Sequence, residues 1–565
     1  MNAQSYKPRF DIALALAGTF SAGAYTAGVL DFLIEALDAW HGSNTEPPHN
    51  VVVQAASGAS GGAVCSTLLA AMLRYEFSHI RLDDTSRGPT RGSKTNPLFE
   101  FWVDRIDLSN FLGPDDLNHD AHPMSVLDAT KLDTILRDVL GYGGKRVRRS
   151  YIADPFRLRF TLTNLRGVPY RLAMNGGSGE SVTMMLHEDH KRFALTDAGG
   201  FTISPPPWPS GDWRHESIVL HPPDDNDDKY TAWRELVDAA LASCALPFLL
   251  RSRTIHKEAG DYAGLPLLYA DGRSGPAKVY PTMPAWGGAP PSDYGFATAD
   301  GGVMYDVPLE HARLALVGDD PLARNVPAQT YPDRAVLLIS PLVGGIPEGP
   351  CSESSVTLLN ALARLFNAYK NNARAHPSDL MLANDRSVGR FLIAPKRDAN
   401  PTVQHEQAIA CGALGGFGGY LALEFREHDY YLGRRNCQRF LDQHFSLPAN
   451  HALFSRWSDT VRKDYLLTNG ELPIVPLLGR LRPPPRGDAK NVEPLPDWPR
   501  DKCKVEKQLP FIGNRADYLY GKLSSEVKLL GSIWLRLGWR LFGRRRLLSF
   551  VRKQIVNGLQ AHQLR

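Results

Sequence analysis

Two residues 240 positions apart, Ser60 and Asp300, stand in settings that favour chemistry. Ser60 lies in Gly58-Ala59-Ser60-Gly61-Gly62, a Gly-x-Ser-x-Gly pattern. The apolar run Val51-Val52-Val53-Gln54-Ala55 precedes it, and residues 64–73 read as a buried helix. Strand, tight turn and helix are the setting of a nucleophile elbow, in which small neighbours let the chain reverse and the serine hydroxyl points out of the turn. The helix that follows aims its first amide N–H groups, and the positive end of its dipole, at the same point. Gly58, Gly61 and Gly62 are the turn residues this reading requires. A nucleophilic serine also needs a base. Asp300 ends a short apolar strand and is followed by Gly301 and Gly302, which places a carboxylate in a turn open to close approach.

The elements that would position these groups begin near the N-terminus. Residues 10–17 read as a first buried strand, followed by the turn Gly18-Thr19-Phe20-Ser21-Ala22-Gly23. Residues 24–40 carry Val29, Leu33, Ala36, Leu37 and Trp40 at helical spacing. The order strand, turn, helix, strand, elbow, helix predicts a parallel sheet with helices on its faces. The turn at Gly18–Gly23 lacks the Lys and Ser/Thr of a phosphate loop and the Gly-x-Gly of a dinucleotide fingerprint. Its backbone N–H groups remain suited to an oxygen that gains charge when Ser60 attacks a carbonyl.

These residues resemble the patatin-like phospholipase family, particularly its bacterial members. The resemblance is carried by Gly-Ala-Ser-Gly-Gly at the elbow, Asp-Gly-Gly-x(5)-Pro at 300–308, and Gly-Ala-Tyr-Thr-Ala-Gly-Val-Leu after the first strand. Residues 162–169 and the segment Ala242-Ser243-Cys244-Ala245-Leu246-Pro247 agree with it in order, so that it spans roughly residues 10–345. It implies an α/β fold, a three-layer α/β/α sandwich with a mainly parallel sheet. It also implies a Ser60–Asp300 dyad without a histidine, acting on a lipid ester through an acyl-serine, with Gly18, Thr19, Phe20 and Gly23 in the oxyanion loop and no cofactor. The family's loop usually reads Gly-Gly-Gly-x-Arg/Lys-Gly. Here two glycines and the basic residue are replaced, and Asp306 stands where Asn is frequent. An apolar acyl pocket is expected near the elbow, its lining not legible. Two other readings stay open: a Ser-Asp-His esterase or thioesterase using His428, and a membrane-associated scaffold that kept the fold but has little catalysis.

The remaining sequence bounds these readings. The chain has 565 residues, 43% hydrophobic and 22% charged, the balance of a globular protein with a large core. A net charge of +4 does not suggest nucleic acid. Six scattered cysteines with no Cys-x-x-Cys argue against a disulfide scaffold or zinc ribbon and favour a reducing, cytoplasmic setting. His187 and His190 have His-x-x-His spacing within what reads as a polar loop, and no metal is expected. Residues 204–228 and 272–291 read as loops and 356–374 as a helix. The expected organisation is a catalytic domain at 1–345, a helical and α/β elaboration packed on it at 346–480, a Pro-rich linker at 481–510 and a basic helical tail at 511–565. The tail holds eleven basic residues against two acidic ones, with Val527, Leu530, Trp534, Leu537 and Leu541 as an apolar stripe. Such a helix either lies on an anionic membrane surface or docks on the protein. Oligomeric state is not legible.

Overall fold

The computed structural model describes residues 7–42, 48–83, 95–117, 122–174, 181–196, 199–202, 217–219, 231–262, 265–269, 278–282, 284–317, 333–344, 389–397, 405–484, 487–525 and 538–565, with scattered positions between 361 and 374. Most of the residues expected to form the 204–228 insertion, most of the 356–374 helix and most of the C-terminal apolar stripe lie outside this set.

Strand β1 (Arg9–Leu16) leads through the Gly18–Gly23 turn into helix α1 (Gly23–His41). Strand β2 (Asn50–Gly58) then leads through Ser60 into helix α2 (Gly61–Met72). The long strands β3 (Arg149–Ala173) and β4 (Ser181–Thr196) form an antiparallel pair. Helix α3 (Thr231–Ser243), β5 (Thr254–Lys257), β6 (Tyr294–Ala299), α4 (Leu309–Val317), β7 (Arg334–Ile339) and β8 (Arg390–Ile393) follow. The sheet runs β8-β7-β1-β2-β3-β6-β5. It is parallel from β8 to β3, and antiparallel from β3 through β6 to β5.

Alternation along β1 explains the layers. Phe10, Ile12, Leu14 and Leu16 join the large core with α1 and α2, while Ala13 and Ala15 face the other way, with Ala55, against Ala312, Ala315 and Leu316 of α4. Alanines on that face let α4 lie close to the sheet. The result is a helix–sheet–helix sandwich with C-terminal helices added. Helix α1, which with the preceding turn is long and apolar enough to cross a membrane by composition, has 94% of that apolar window buried inside the protein.

Helix α5 (Leu423–Gln443) covers α1. A Cβ on Gly28 would run into the carbonyl oxygen of Tyr430, and one on Gly433 into that of Tyr25, so two glycines set the closeness of this crossing. Arg434, fully buried on α5, reaches Asp31, Glu35 (2.6 Å) and Glu493 (2.9 Å).

Three expectations need correction. The 481–510 stretch is not a free linker: buried Glu493 ties it to α5, and the helix α6 (Val505–Ser525) already begins within it, carrying Pro510. His187 and His190 lie on strand β4 rather than in a loop, because the polar residues there alternate along a half-buried strand. The 272–291 stretch includes Lys278–Thr282, which pairs antiparallel with Leu265–Tyr269. The chain ends in helix α7 (Arg544–Ala561), basic and exposed over much of its length, with Ile555 and Leu559 buried.

Candidate active site

Ser60 occupies the turn between β2 and α2 with φ 51° and ψ −126°, in the left-handed half of backbone space. The turn is closed by Gly62 N–H to Ala59 O (2.8 Å) and Ala63 N–H to Ser60 O (2.8 Å), and Ser60 N–H donates to Ser243 Oγ on α3 (2.9 Å). The glycines fit by close approach. A Cβ on Gly62 would strike the Leu16 carbonyl oxygen, one on Gly61 the Thr19 hydroxyl, and one on Gly58 the backbone of Gly62 and Ala63.

Asp300 follows the last residue of β6 and comes to the same point. Ser60 Oγ donates to Asp300 Oδ2 at 2.6 Å, while Asp300 Oδ1 accepts the Gly302 N–H at 2.7 Å. The carboxylate is held from behind by its own backbone: its N–H donates to Ala245 O (2.8 Å) and its C=O accepts from Thr163 Oγ (2.7 Å). Gly301 lies against Thr161, where no Cβ would fit. Both members of the pair are buried. Cys244, adjacent in space, has its thiol pushed well up by burial and by the Asp300 charge, so it stays a neutral thiol.

The Gly18–Gly23 turn forms the third side. Gly18 N–H donates to Asp306 O (3.2 Å), and the Asp306 carboxylate occupies the space where a Cβ on Gly18 would stand. Gly23 lies against the Trp102 ring. Phe20 takes φ 46°, a conformation natural to glycine, and its ring stacks on Phe417 (4.7 Å between centroids, 27° between planes). Ser21 fixes the turn to the same C-terminal segment: its hydroxyl donates to Gly416 O (2.6 Å) and accepts the Gly419 N–H (2.9 Å). The Gly-Gly-Phe-Gly-Gly stretch at 415–419 thus receives both the ring and the hydroxyl that follows it.

Two clefts meet at Ser60. A small one is lined by Gly18, Thr19, Phe20, Asp300, Gly302 and Asp306. The other is larger and mostly apolar, with Phe20, Val64, Trp102, Phe111, Leu132, Leu246, Leu249, Phe417 and Tyr420 among its walls. Sequence reasoning missed this lining, since an apolar side chain on a cleft wall has the same local pattern as one in the core. Ser243 had a local signal in the Ala-Ser-x-Ala-x-Pro segment.

His428 is not brought to Ser60. Its Nδ1 meets Asp429 Oδ1 (2.7 Å) and its Nε2 meets Arg397 (2.5 Å), while Asp429 accepts the N–H groups of Ala410 and Cys411. It does not line either cleft. His187 Nδ1 meets the Asn164 carbonyl (2.7 Å), and His190 packs on the His311 ring, its pKa well down through burial. Among the described residues, no group of three or more His, Cys, Asp or Glu is placed to hold a metal ion.

Comparison with known proteins adds the following. A family model described as patatin-like phospholipase matches residues 14–313. The uncharacterized protein y4iI of Sinorhizobium fredii is 32% identical across 98% of this chain and 82% of its own length. The crystal structure of VipD from Legionella pneumophila aligns over 98% of this chain and 88% of its own at 10% identity, with a TM-score of 0.21, a likeness too slight to argue from.

Proposed function

The chain belongs to the patatin-like phospholipase family, and from that premise we propose that it is a lipid acyl hydrolase that cleaves carboxylic esters through Ser60 and Asp300. The observation that carries this reading is the 2.6 Å contact between Ser60 Oγ and Asp300 Oδ2 at the meeting point of the two clefts. The apolar cleft, walled by aliphatic and aromatic side chains, suits an acyl chain. Asp300 accepts the Ser60 proton as Oγ attacks the ester carbon, then returns it to the leaving alcohol. Water, deprotonated by the same carboxylate, releases the fatty acid from the acyl-serine. A carboxylate is a weak base towards a hydroxyl, so the step leans on stabilising the oxyanion. The N–H groups of Thr19 and Phe20, in the Gly18–Gly23 turn, and of Gly61, at the head of α2, are the groups we assign to that work, the Gly18 N–H being taken by Asp306 O. The backbone angles at Phe20 support it: the residue adopts a glycine-like conformation and its ring is turned aside onto Phe417.

The test is a fluorophosphonate probe combined with hydrolysis of a lipid panel. The wild type is expected to be labelled and to release fatty acid, and Ser60→Ala to do neither. Absence of labelling and turnover in the wild type would replace this reading with that of a catalytically silent scaffold.

A further inference from the structure

The wall of the apolar cleft is also its outer rim. Residues 124–127 and 246–250 lie side by side, joined by Val126 N–H to Phe248 O (2.8 Å) and Leu127 N–H to Leu249 O (3.0 Å). Leu127, Leu246, Leu249 and Leu250 face inward and line the cleft. Their neighbours Met124, Val126 and Phe248 face water, and Phe248 is 85% exposed. Phe248 moreover holds φ 68°. A bulky residue in the left-handed region is strained, and here the strain carries an aromatic ring out of the protein rather than into it. Helix α6 fastens this rim. Arg515 donates to Val126 O (2.8 Å) and Ser125 O (3.2 Å) while paired with Asp116. Phe511 and Tyr518, on the same helical face as Arg515 and a turn to either side of it, are both exposed.

We propose that this rim, centred on Phe248 with Met124, Val126, Phe511 and Tyr518, docks on the surface of a lipid bilayer and places the mouth of the apolar cleft against it. The inference rests on the acyl-hydrolase reading for its choice of occupant. An apolar surface continuous with an acyl cleft lets a lipid chain pass from bilayer to Ser60 without crossing water. Tyr518, with its polar edge, suits the headgroup layer, and the Phe248 and Phe511 rings suit the apolar layer beneath it. A contiguous exposed apolar patch is otherwise a liability for a protein in water.

The experiment compares the full-length wild type with Phe248→Asn and Phe248→Trp. Asparagine tolerates positive φ and removes the ring, so the fold is preserved, and tryptophan keeps the apolar contact. Co-sedimentation with vesicles of phosphatidylcholine doped with phosphatidylglycerol reads docking without requiring turnover. Binding is expected to fall about tenfold or more in Phe248→Asn, the loss of one buried aromatic contact, and to be retained in Phe248→Trp. Hydrolysis of a water-soluble short-chain ester is expected to be equal in all three, with hydrolysis of vesicle lipid reduced in Phe248→Asn alone. Wild-type protein that stays in the supernatant, or Phe248→Asn that sediments like wild type, overturns the proposal. So does an equal loss on soluble ester, which would make Phe248 part of the acyl cleft. A wild type that binds vesicles but turns over no ester would refute the hydrolase reading and leave the docking surface standing.

Discussion

Ser60 spends conformational energy to be where it is. Its φ of 51° costs an L residue about 1–2 kcal/mol, and the turn persists because Leu16, Ser243 and the first turn of α2 all fix it. Asp300 is the residue on which the proposed chemistry turns. Asp300→Asn keeps the size of the group and can still accept from Gly302, but cannot take a proton. We expect kcat to fall by about 10²–10⁴ with an unchanged thermal midpoint; full turnover in that variant would remove the dyad. Both residues were legible in the sequence, because a nucleophile turn and an Asp-Gly-Gly turn need small residues at fixed offsets and leave a local pattern. The apolar cleft was not. Trp102, Phe417 and Tyr420 come from segments far apart in the chain, and no local spacing marks them as cleft rather than core.

At the scale of elements, the first two βα units were readable from periodicity, and β1, α1, β2 and α2 stand where the sequence put them. What could not be read was how the C-terminal elements close over them, since those contacts are buried ion pairs and hydrogen bonds between distant residues. His49, just before β2, is one. It accepts from Trp457 Nε1 at Nδ1 (2.9 Å), which leaves Nε2 to donate to the Ile474 carbonyl (2.9 Å), so only the neutral ring makes both bonds. Burial lowers its pKa from 6.5 to about 4. The unfolded chain therefore takes up a proton near pH 6.5 that the folded chain refuses until about pH 4. Stability conferred by this group is complete above pH 6.5 and declines as the pH falls through that window. Urea unfolding at pH 7 and pH 5 should show an acid loss smaller by about 2 kcal/mol in His49→Gln than in wild type. Identical losses would mean that His49 titrates normally in the folded chain. Arg434 is the second such contact. Burial opposes ionisation of Asp31, yet Arg434 and His79 more than offset this and hold its carboxyl far below its usual range. Arg434→Met leaves Asp31, Glu35 and Glu493 buried without their common cation. We expect a loss of about 3–5 kcal/mol in denaturant unfolding, and a change under 1 kcal/mol would show that the cluster is solvated.

For the whole molecule, the family match ends at residue 313, yet α1 is covered by α5, and the Gly18–Gly23 turn is supported by residues 416–419. These contacts cross the boundary that the resemblance placed near 345, and we expect residues 1–345 expressed alone to be insoluble or molten. A sharp, cooperative thermal transition from that fragment would contradict this. The composition of the C-terminal region gave no warning of its part in the site, because nothing local to the glycines at 415, 416, 418 and 419 shows that Phe20 and Ser21 lie against them.

The bond between Ser21 and Gly419 joins residues 398 positions apart, and that separation is also an interval in time. At about 5–20 residues per second, a ribosome needs on the order of 20–80 s to travel it. Ser60 emerges early in that interval and Asp300 well before its end. On the proposed chemistry, the nascent chain thus carries both halves of the dyad while the turn that would steady the oxyanion still lacks its backing. If that backing is required, the proposed hydrolysis waits until residue 419 has been made, and a chain terminated before it is expected to be inactive.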